Sequence, residues 1–219
     1  MKKIAVILCG SGFKDGSEIR ESVGVLWALS AQNASVQCFA PDAPQFDVVN
    51  SLTGDTVKDE SRNMLVESAR IARGQVKPLI ALNPNDFDAV IIPGGFGAAK
   101  NLCTFALKGA QGTVLPELDK ILHDFHAQRK PIGAVCIAPA ILALAFKGKN
   151  FELTVGEKCE AEQEIEKLGH RHVVRKANDF HVDKGNKIVT TPAYMYDEAP
   201  LHEIFTGIQK LVKEVVSLS

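Results

Sequence analysis

Short apolar runs rich in Ile and Val alternate along this chain with helical patterns, and that alternation leaves few folds open. It is the mark of a parallel sheet with helices on both faces, because strands buried on both sides read as continuous apolar runs. The sequence predicts strands at Ile4–Leu8, Val36–Phe39, Ala89–Ile92, Ile132–Val135, Glu152–Val155 and Lys187–Thr190. Two shorter ones fall at His172–Val174 and Phe180–Val182, with the Asp-Lys-Gly-Asn turn at 183–186 leading into the next strand. Leu201, Ile204, Phe205, Ile208, Leu211, Val212, Val215 and Val216 recur with helical spacing, as do Val114, Leu115, Leu118, Ile121, Leu122 and Phe125. Further helices are predicted from about Ser17 to Gln32 and from about Ser61 to Arg73. The expected fold class is α/β, a three-layer sandwich with a central, mostly parallel sheet flanked by helices. Residues 1–219 suit a single domain with a small excursion near 50–80.

Composition narrows the function. A hydrophobic fraction of 46% suffices for a sizeable core, and a formal charge of −1 gives no positive field for nucleic acid or an anionic membrane. No apolar run approaches the ~18 residues that span a bilayer. The start, MKKIAVILCGSGF, mimics the head of a signal peptide, but its apolar run covers only Ile4 to Cys9 and reads as a first strand. A cytoplasmic location is the expectation. The five cysteines, Cys9, Cys38, Cys103, Cys136 and Cys159, include no C-x-x-C pair, which argues against a disulfide framework and a thiolate zinc site. His170 and His172 alternate on a predicted strand and read as surface residues rather than a metal pair; no metal or cofactor is expected.

In an open parallel sheet, ligands bind at the carboxyl ends of the strands, and three such ends carry chemistry. In PIGAVCIAPAIL (131–142) a strand runs into Cys136 and turns at once into an apolar helix, with Pro139 in the first turn. A nucleophile on such an elbow sits on a strained turn among free amides. A helix N-terminus there would lower the thiol pKa, to roughly 3.5–7.5 in known cases. The alternative reading is a small core residue that ends a strand. In IIPGGFGAAKNL (91–102) the glycines let backbone amides approach a ligand, and the amides of Gly95 and Ile137 could together hold a developing oxyanion. No Gly-Lys-Ser/Thr follows, so this is no P-loop. In CGSGFKDGSEIRE (9–21) the glycines at 10, 12 and 16, with Asp42 after the second strand, imitate a dinucleotide fingerprint. The spacing is too long, and Asp15 stands where a pyrophosphate would lie. Glu18 and Glu21 follow at a helix start, where a buried carboxyl beside a thiol would keep its proton and solvated carboxyls would favour the helix dipole.

These segments in this order resemble the class I glutamine amidotransferase-like superfamily and, within it, the branch of the parkinsonism-linked deglycase and PfpI. DGSEIRES, SLTGD, SRN, IIPGGFGAAKNL, CIAPA and NKIVTTPAYM look like the bacterial ElbB subfamily, isoprenoid-biosynthesis-associated proteins regarded as glyoxalases. The resemblance covers nearly the whole chain and implies a flavodoxin-like sheet and a homodimer. It makes Cys136 the nucleophile, Glu21 rather than Glu18 the carboxyl on the thiol, and Gly95 and Ile137 the oxyanion amides. It also exposes a departure. Amidotransferase and protease relatives carry a histidine just after the strand that follows the elbow helix, where this chain has Gly156, and no histidine lies between His126 and His170. Amide chemistry, in which a histidine protonates a poor leaving group, is thereby disfavoured. The implied activity is a cofactor-free glyoxalase that converts glyoxal to glycolate through a Cys136 hemithioacetal. The alternative is a non-catalytic redox sensor using the same thiol, with Cys9 as a candidate resolving partner.

Overall fold

The computed structural model describes residues 1–219. Strands β1 (Lys3–Ile7), β2 (Ser35–Ala40), β3 (Val76–Pro78), β4 (Ala89–Ile92), β5 (Ile132–Val135), β6 (Glu152–Leu153), β7 (Arg171–His172), β8 (His181–Asp183) and β9 (Ile188–Thr191) follow one another along the chain. Helices α1 (Ile19–Ala31), α2 (Met64–Ile71), α3 (Phe96–Lys100), α4 (Phe105–Lys108), α5 (Pro116–Ala127), α6 (Pro139–Ala145), α7 (Glu160–Lys167) and α8 (Leu201–Leu218) connect or cover them. Seven strands form one sheet in the order β3-β2-β1-β4-β5-β9-β8, and every pairing is parallel except the β8–β9 hairpin at the edge. This is the three-layer, flavodoxin-like arrangement expected.

The continuous apolar runs have a direct cause. Successive side chains of a strand point to opposite faces, so a strand covered on both sides must be apolar at every position. Ala5, Ile7, Val90, Ile92, Ile132 and Ala134 pack with Leu118, Leu122 and Phe125 of α5 and with Ile141 and Leu142 of α6. Ile4, Val6, Ile91 and Val135 face the other way, against Val25 and Leu29 of α1 and Ile208, Leu211 and Val215 of α8.

Three features differ from the sequence reading. The run Glu152–Val155 yields only the two-residue β6, which pairs with β7 in a separate small sheet, while β5 and β9 are direct neighbours. The Thr154 N–H turns to the Thr190 hydroxyl instead, at 3.0 Å. The segment near 50–80 is not a mere excursion, because it ends in β3, which adds a strand to the sheet edge where Pro78 is tolerated. Its loop is anchored: Asp15 accepts the Val49 N–H at 2.9 Å, Gln45 donates to the Asp15 carbonyl at 3.0 Å, and Lys100 pairs with both Asp47 carboxylate oxygens at 2.7 Å. Helices α4 and α7 carry too little apolar periodicity to be read in advance; α7 is EAEQEIEK.

Candidate active site

The carboxyl ends of β4, β5 and β9 bring one residue cluster together against the first turn of α1. Cys136 follows β5 directly with φ +60°, a left-handed conformation costly for a residue with a Cβ. Its N–H is held by the Thr191 carbonyl on β9 at 2.9 Å, so the neighbouring strand enforces the turn. The side chain is nearly sealed, with Cys136 only 7% exposed and Glu21 beside it at 0%. Glu21 lies beside the thiol and accepts two backbone donors, Gly94 N–H at 2.9 Å and Tyr194 N–H at 3.2 Å. The amides of Gly95 and Ile137 flank the Cys136 sulfur and favour negative charge on it. All four residues singled out from sequence thus meet in one place.

The Gly-Gly turn is a geometric necessity. A Cβ on Gly94 would lie 2.5 Å from the Cys136 Cβ and 2.7 Å from a Glu21 carboxylate oxygen. Gly95 has φ +97°, and a Cβ there would strike the Gly16 carbonyl and the Glu18 amide nitrogen at 2.5 Å. Glu18 caps α1, its carboxylate accepting the Glu21 N–H at 2.5 Å, while its own N–H binds the Gly94 carbonyl at 3.0 Å. Tyr194 went unassigned in sequence reasoning. Its N–H reaches Glu21 because Ala193 takes φ +43°, and only the position of PAYM just after a strand end hinted at it.

The expected depression of the thiol by a helix dipole does not hold. Helix α6 starts only at Pro139 and is a bare seven residues long. Burial and the charge of Glu21 push the Cys136 thiol well up, against the downward pull of the Gly95 and Ile137 amides. Burial, followed by the charge of Glu18, raises Glu21 to about 8. Two such groups in a dry site cannot both ionise, so they share one negative charge and titrate as a pair. When Glu21 holds the proton, its repulsion of the thiolate vanishes and it becomes a donor to the sulfur.

Other expectations resolve differently. The loop 10–17 closes on itself, with Gly12 N–H on the Ser17 carbonyl at 3.0 Å and Gly16 N–H on the Gly12 carbonyl at 2.7 Å, so these amides are spent and form no phosphate cradle. Cys9 is 0% exposed, its sulfur 3.4 Å from the Ser17 hydroxyl, and burial pushes its thiol up to about 12, which makes it a poor resolving partner. His170 is not a surface residue: it is buried, accepting the Phe151 N–H at Nδ1 (3.1 Å) and bonded through Nε2 to the Ala143 carbonyl (3.0 Å). His172 is half-buried and accepts the Val155 N–H at 3.2 Å. At Gly156, where triad relatives would place an imidazole, a Cβ would meet the Tyr196 ring at 2.9 Å and Pro192 at 3.3 Å. Tyr196 is fixed there by donating its hydroxyl to the Arg175 carbonyl at 2.7 Å.

Comparison with known proteins places this site in a family. Residues 3–194 match the model of the DJ-1/PfpI family. The ES1 protein homolog, mitochondrial, of Rattus norvegicus is 44% identical over 99% of this chain and 84% of its own length. The human glutamine amidotransferase-like class 1 domain-containing protein 3, mitochondrial, is also 44% identical, over 99% of this chain and 83% of its own. Among solved structures, an isoprenoid biosynthesis protein with amidotransferase-like domain from Ehrlichia chaffeensis superposes with a TM-score of 0.92 at 38% identity, covering 100% of this chain and 99% of the other. Glyoxalase III of Candida albicans shares the fold at a TM-score of 0.62 and 15% identity, over 99% and 97% of the two chains. The mitochondrial names of the rat and human relatives overturn the cytoplasmic expectation, which rested only on the shortness of the first apolar run. With the matched region spanning every strand of the sheet and the Cys136 elbow, the chain belongs to the DJ-1/PfpI family.

Proposed function

We propose that this protein is a cofactor-free glyoxalase that converts glyoxal to glycolate at Cys136. The observation that carries the reading is the buried Cys136–Glu21 pair set among the Gly95 and Ile137 amides, with no imidazole at the Gly156 position. The thiolate adds to one aldehyde carbon, forming a C–S bond and an alkoxide that the two amides stabilise. Glu21 gives its proton to that oxygen. The carboxylate so formed removes the hydrogen from the sulfur-bearing carbon, the hydroxyl proton crosses to the former aldehyde oxygen through an enediol, and Glu21 returns its proton to the neighbouring carbon, leaving a glycolyl thioester. One carbon is thereby oxidised and the other reduced, with no external electron carrier. Water then cleaves the glycolyl thioester, releasing glycolate and the thiol. No amine is expelled, so the route tolerates the absence of a histidine better than amide hydrolysis does.

The test is glycolate production from glyoxal by the wild type and by Cys136→Ser. The wild type turns over and the variant does not, with both giving the same circular dichroism spectrum; equal rates would overturn the reading. The redox-sensor reading loses its proposed resolving partner in the buried Cys9. We also propose a homodimer. The exposed apolar stripe of Ile19, Val23 and Trp27 along α1 supports it, and sedimentation equilibrium tests it.

A further inference from the structure

The function proposed for Cys136 and Glu21 leaves Glu18 without a part, yet the geometry ties it to both. Its carboxylate is clamped at the N-cap of α1 by the Glu21 N–H at 2.5 Å. Its own N–H donates to the Gly94 carbonyl at 3.0 Å, and the Gly94 N–H in turn donates to Glu21 at 2.9 Å. Glu18, Gly94 and Glu21 therefore form a closed circuit of hydrogen bonds, and the Glu18 carboxylate cannot swing away from the first turn without breaking it. An ordinary N-cap serine, threonine or aspartate would satisfy the same N–H. A glutamate in that place brings a carboxylate with partial access to solvent next to one that has none.

We propose that Glu18 is a positioning residue for the thiol site: its clamped negative charge holds the proton on Glu21 and so drives the shared negative charge onto the Cys136 sulfur. Burial raises the Glu18 carboxyl too, but the Glu21 N–H and the Arg20 guanidinium pull it back, and being the less buried of the two it ionises first. The remaining surroundings of Glu21 offer no competing charge. The Cys136 thiol faces it from the end of β5, and the Gly94–Gly95 turn after β4 presents amides alone. The segment after β9 presents the Tyr194 N–H, while the Tyr194 phenol is turned outward to accept from Arg20 at 2.9 Å. Helix α8 meets α1 through Phe205 and Ile208 against Gly24, all uncharged. Glu18 is thus the one carboxylate acting on Glu21, and two carboxylates in a shared site separate their titrations.

This rests on the thiol–carboxyl reading of the site, and the experiment separates the two. Glu18→Gln keeps an acceptor for the Glu21 N–H but removes the charge; Glu18→Asp keeps the charge. Thiolate is read at neutral pH by its ultraviolet absorbance and by the rate of iodoacetamide alkylation of Cys136, in variants whose half-buried Cys159 is replaced by serine. Glu18→Gln is expected to lower the alkylation rate about three- to tenfold, with the pH profile shifted by about half to one unit, and to leave the melting temperature near wild type. Glu18→Asp is expected to retain most of the wild-type rate. An unchanged rate and profile in Glu18→Gln overturns the proposal, and so does an equal loss in both variants, which would mark the cap geometry and not the charge as the cause. Failure of the wild type to consume glyoxal would strike the aldehyde chemistry alone, since neither thiolate readout involves substrate.

Discussion

Gly94 and Cys136 stand so close that a Cβ on the glycine would lie 2.5 Å from the cysteine Cβ, well inside any tolerable contact. The same hypothetical atom would press on Glu21 at 2.7 Å and on the Val135 carbonyl at 2.9 Å. The Cys136 Cβ and the Val135 carbonyl move only with the backbone, and the Glu21 carboxylate is tethered by the Tyr194 N–H. Gly94→Ala is therefore expected to cost about 1–3 kcal/mol of stability and to suppress Cys136 alkylation at least tenfold. Urea unfolding and alkylation kinetics measure the two effects separately.

Glu21 makes stability fall with rising pH. Its folded value is about 8 against an ordinary 4.5, so between those limits the folded state holds a proton that the unfolded chain has released. The contribution is complete below pH 4.5, declines through the interval and is lost above about 8. Glu21→Gln should flatten that decline. The variant also exchanges one carboxyl oxygen for an amide NH2 that cannot accept, leaving either the Gly94 or the Tyr194 N–H unpaired, so it should be less stable at pH 5 by about 1–3 kcal/mol. Melting temperatures from pH 5 to 9 check both statements.

His170 acts with the opposite sign. Burial lowers its pKa below the ordinary 6.5, and with Nδ1 accepting from Phe151 N–H a second ring proton would set donor against donor. A depressed base stabilises above its unfolded value and loses that contribution as the pH falls through the folded one. His170→Gln should therefore reduce the loss of stability on acidification below pH 6.5 while lowering stability at pH 8. The slope of melting temperature against pH, wild type minus variant, isolates the effect.

Asp15 anchors the loop that precedes α2. It is 1% exposed, accepts the Val49 N–H at 2.9 Å and lies 3.9 Å from an Arg62 guanidinium nitrogen. Asp15→Ala leaves that N–H without its acceptor and should cost about 1–3 kcal/mol. Hydrogen exchange should quicken between residues 45 and 63, and limited proteolysis should cut near the exposed Leu52 and Lys58 before any other site.

Much of this architecture was legible because burial on two faces writes itself into β1, β4, β5 and β9 as unbroken apolar runs. The parts that escaped lacked such a cause. Val76-Lys77-Pro78 is an edge strand of three residues, too short and too polar to signal pairing. Helix α7 turns Ile165 and little else inward, so its periodicity is faint. At the site, the Cys136 elbow and the Gly-Gly turn could be read locally, since both come from short-range backbone demands. The ionisation of the thiol could not, because it depends on burial and on carboxyls 115 and more residues away, brought near only by the sheet. Tyr194 was missed for the same reason: it contributes a backbone N–H, which no residue type announces.

The Tyr196 ring at Gly156 bears on how this lineage can change. To place an imidazole there, one substitution is not enough, since any side chain at φ +98° would be strained and would collide with the phenol. Tyrosine and glycine would have to be replaced together, and each step alone damages the packing. The Gly156–Tyr196 contact thus acts as a steric lock on this corner of the pocket, closed to an imidazole unless both residues change.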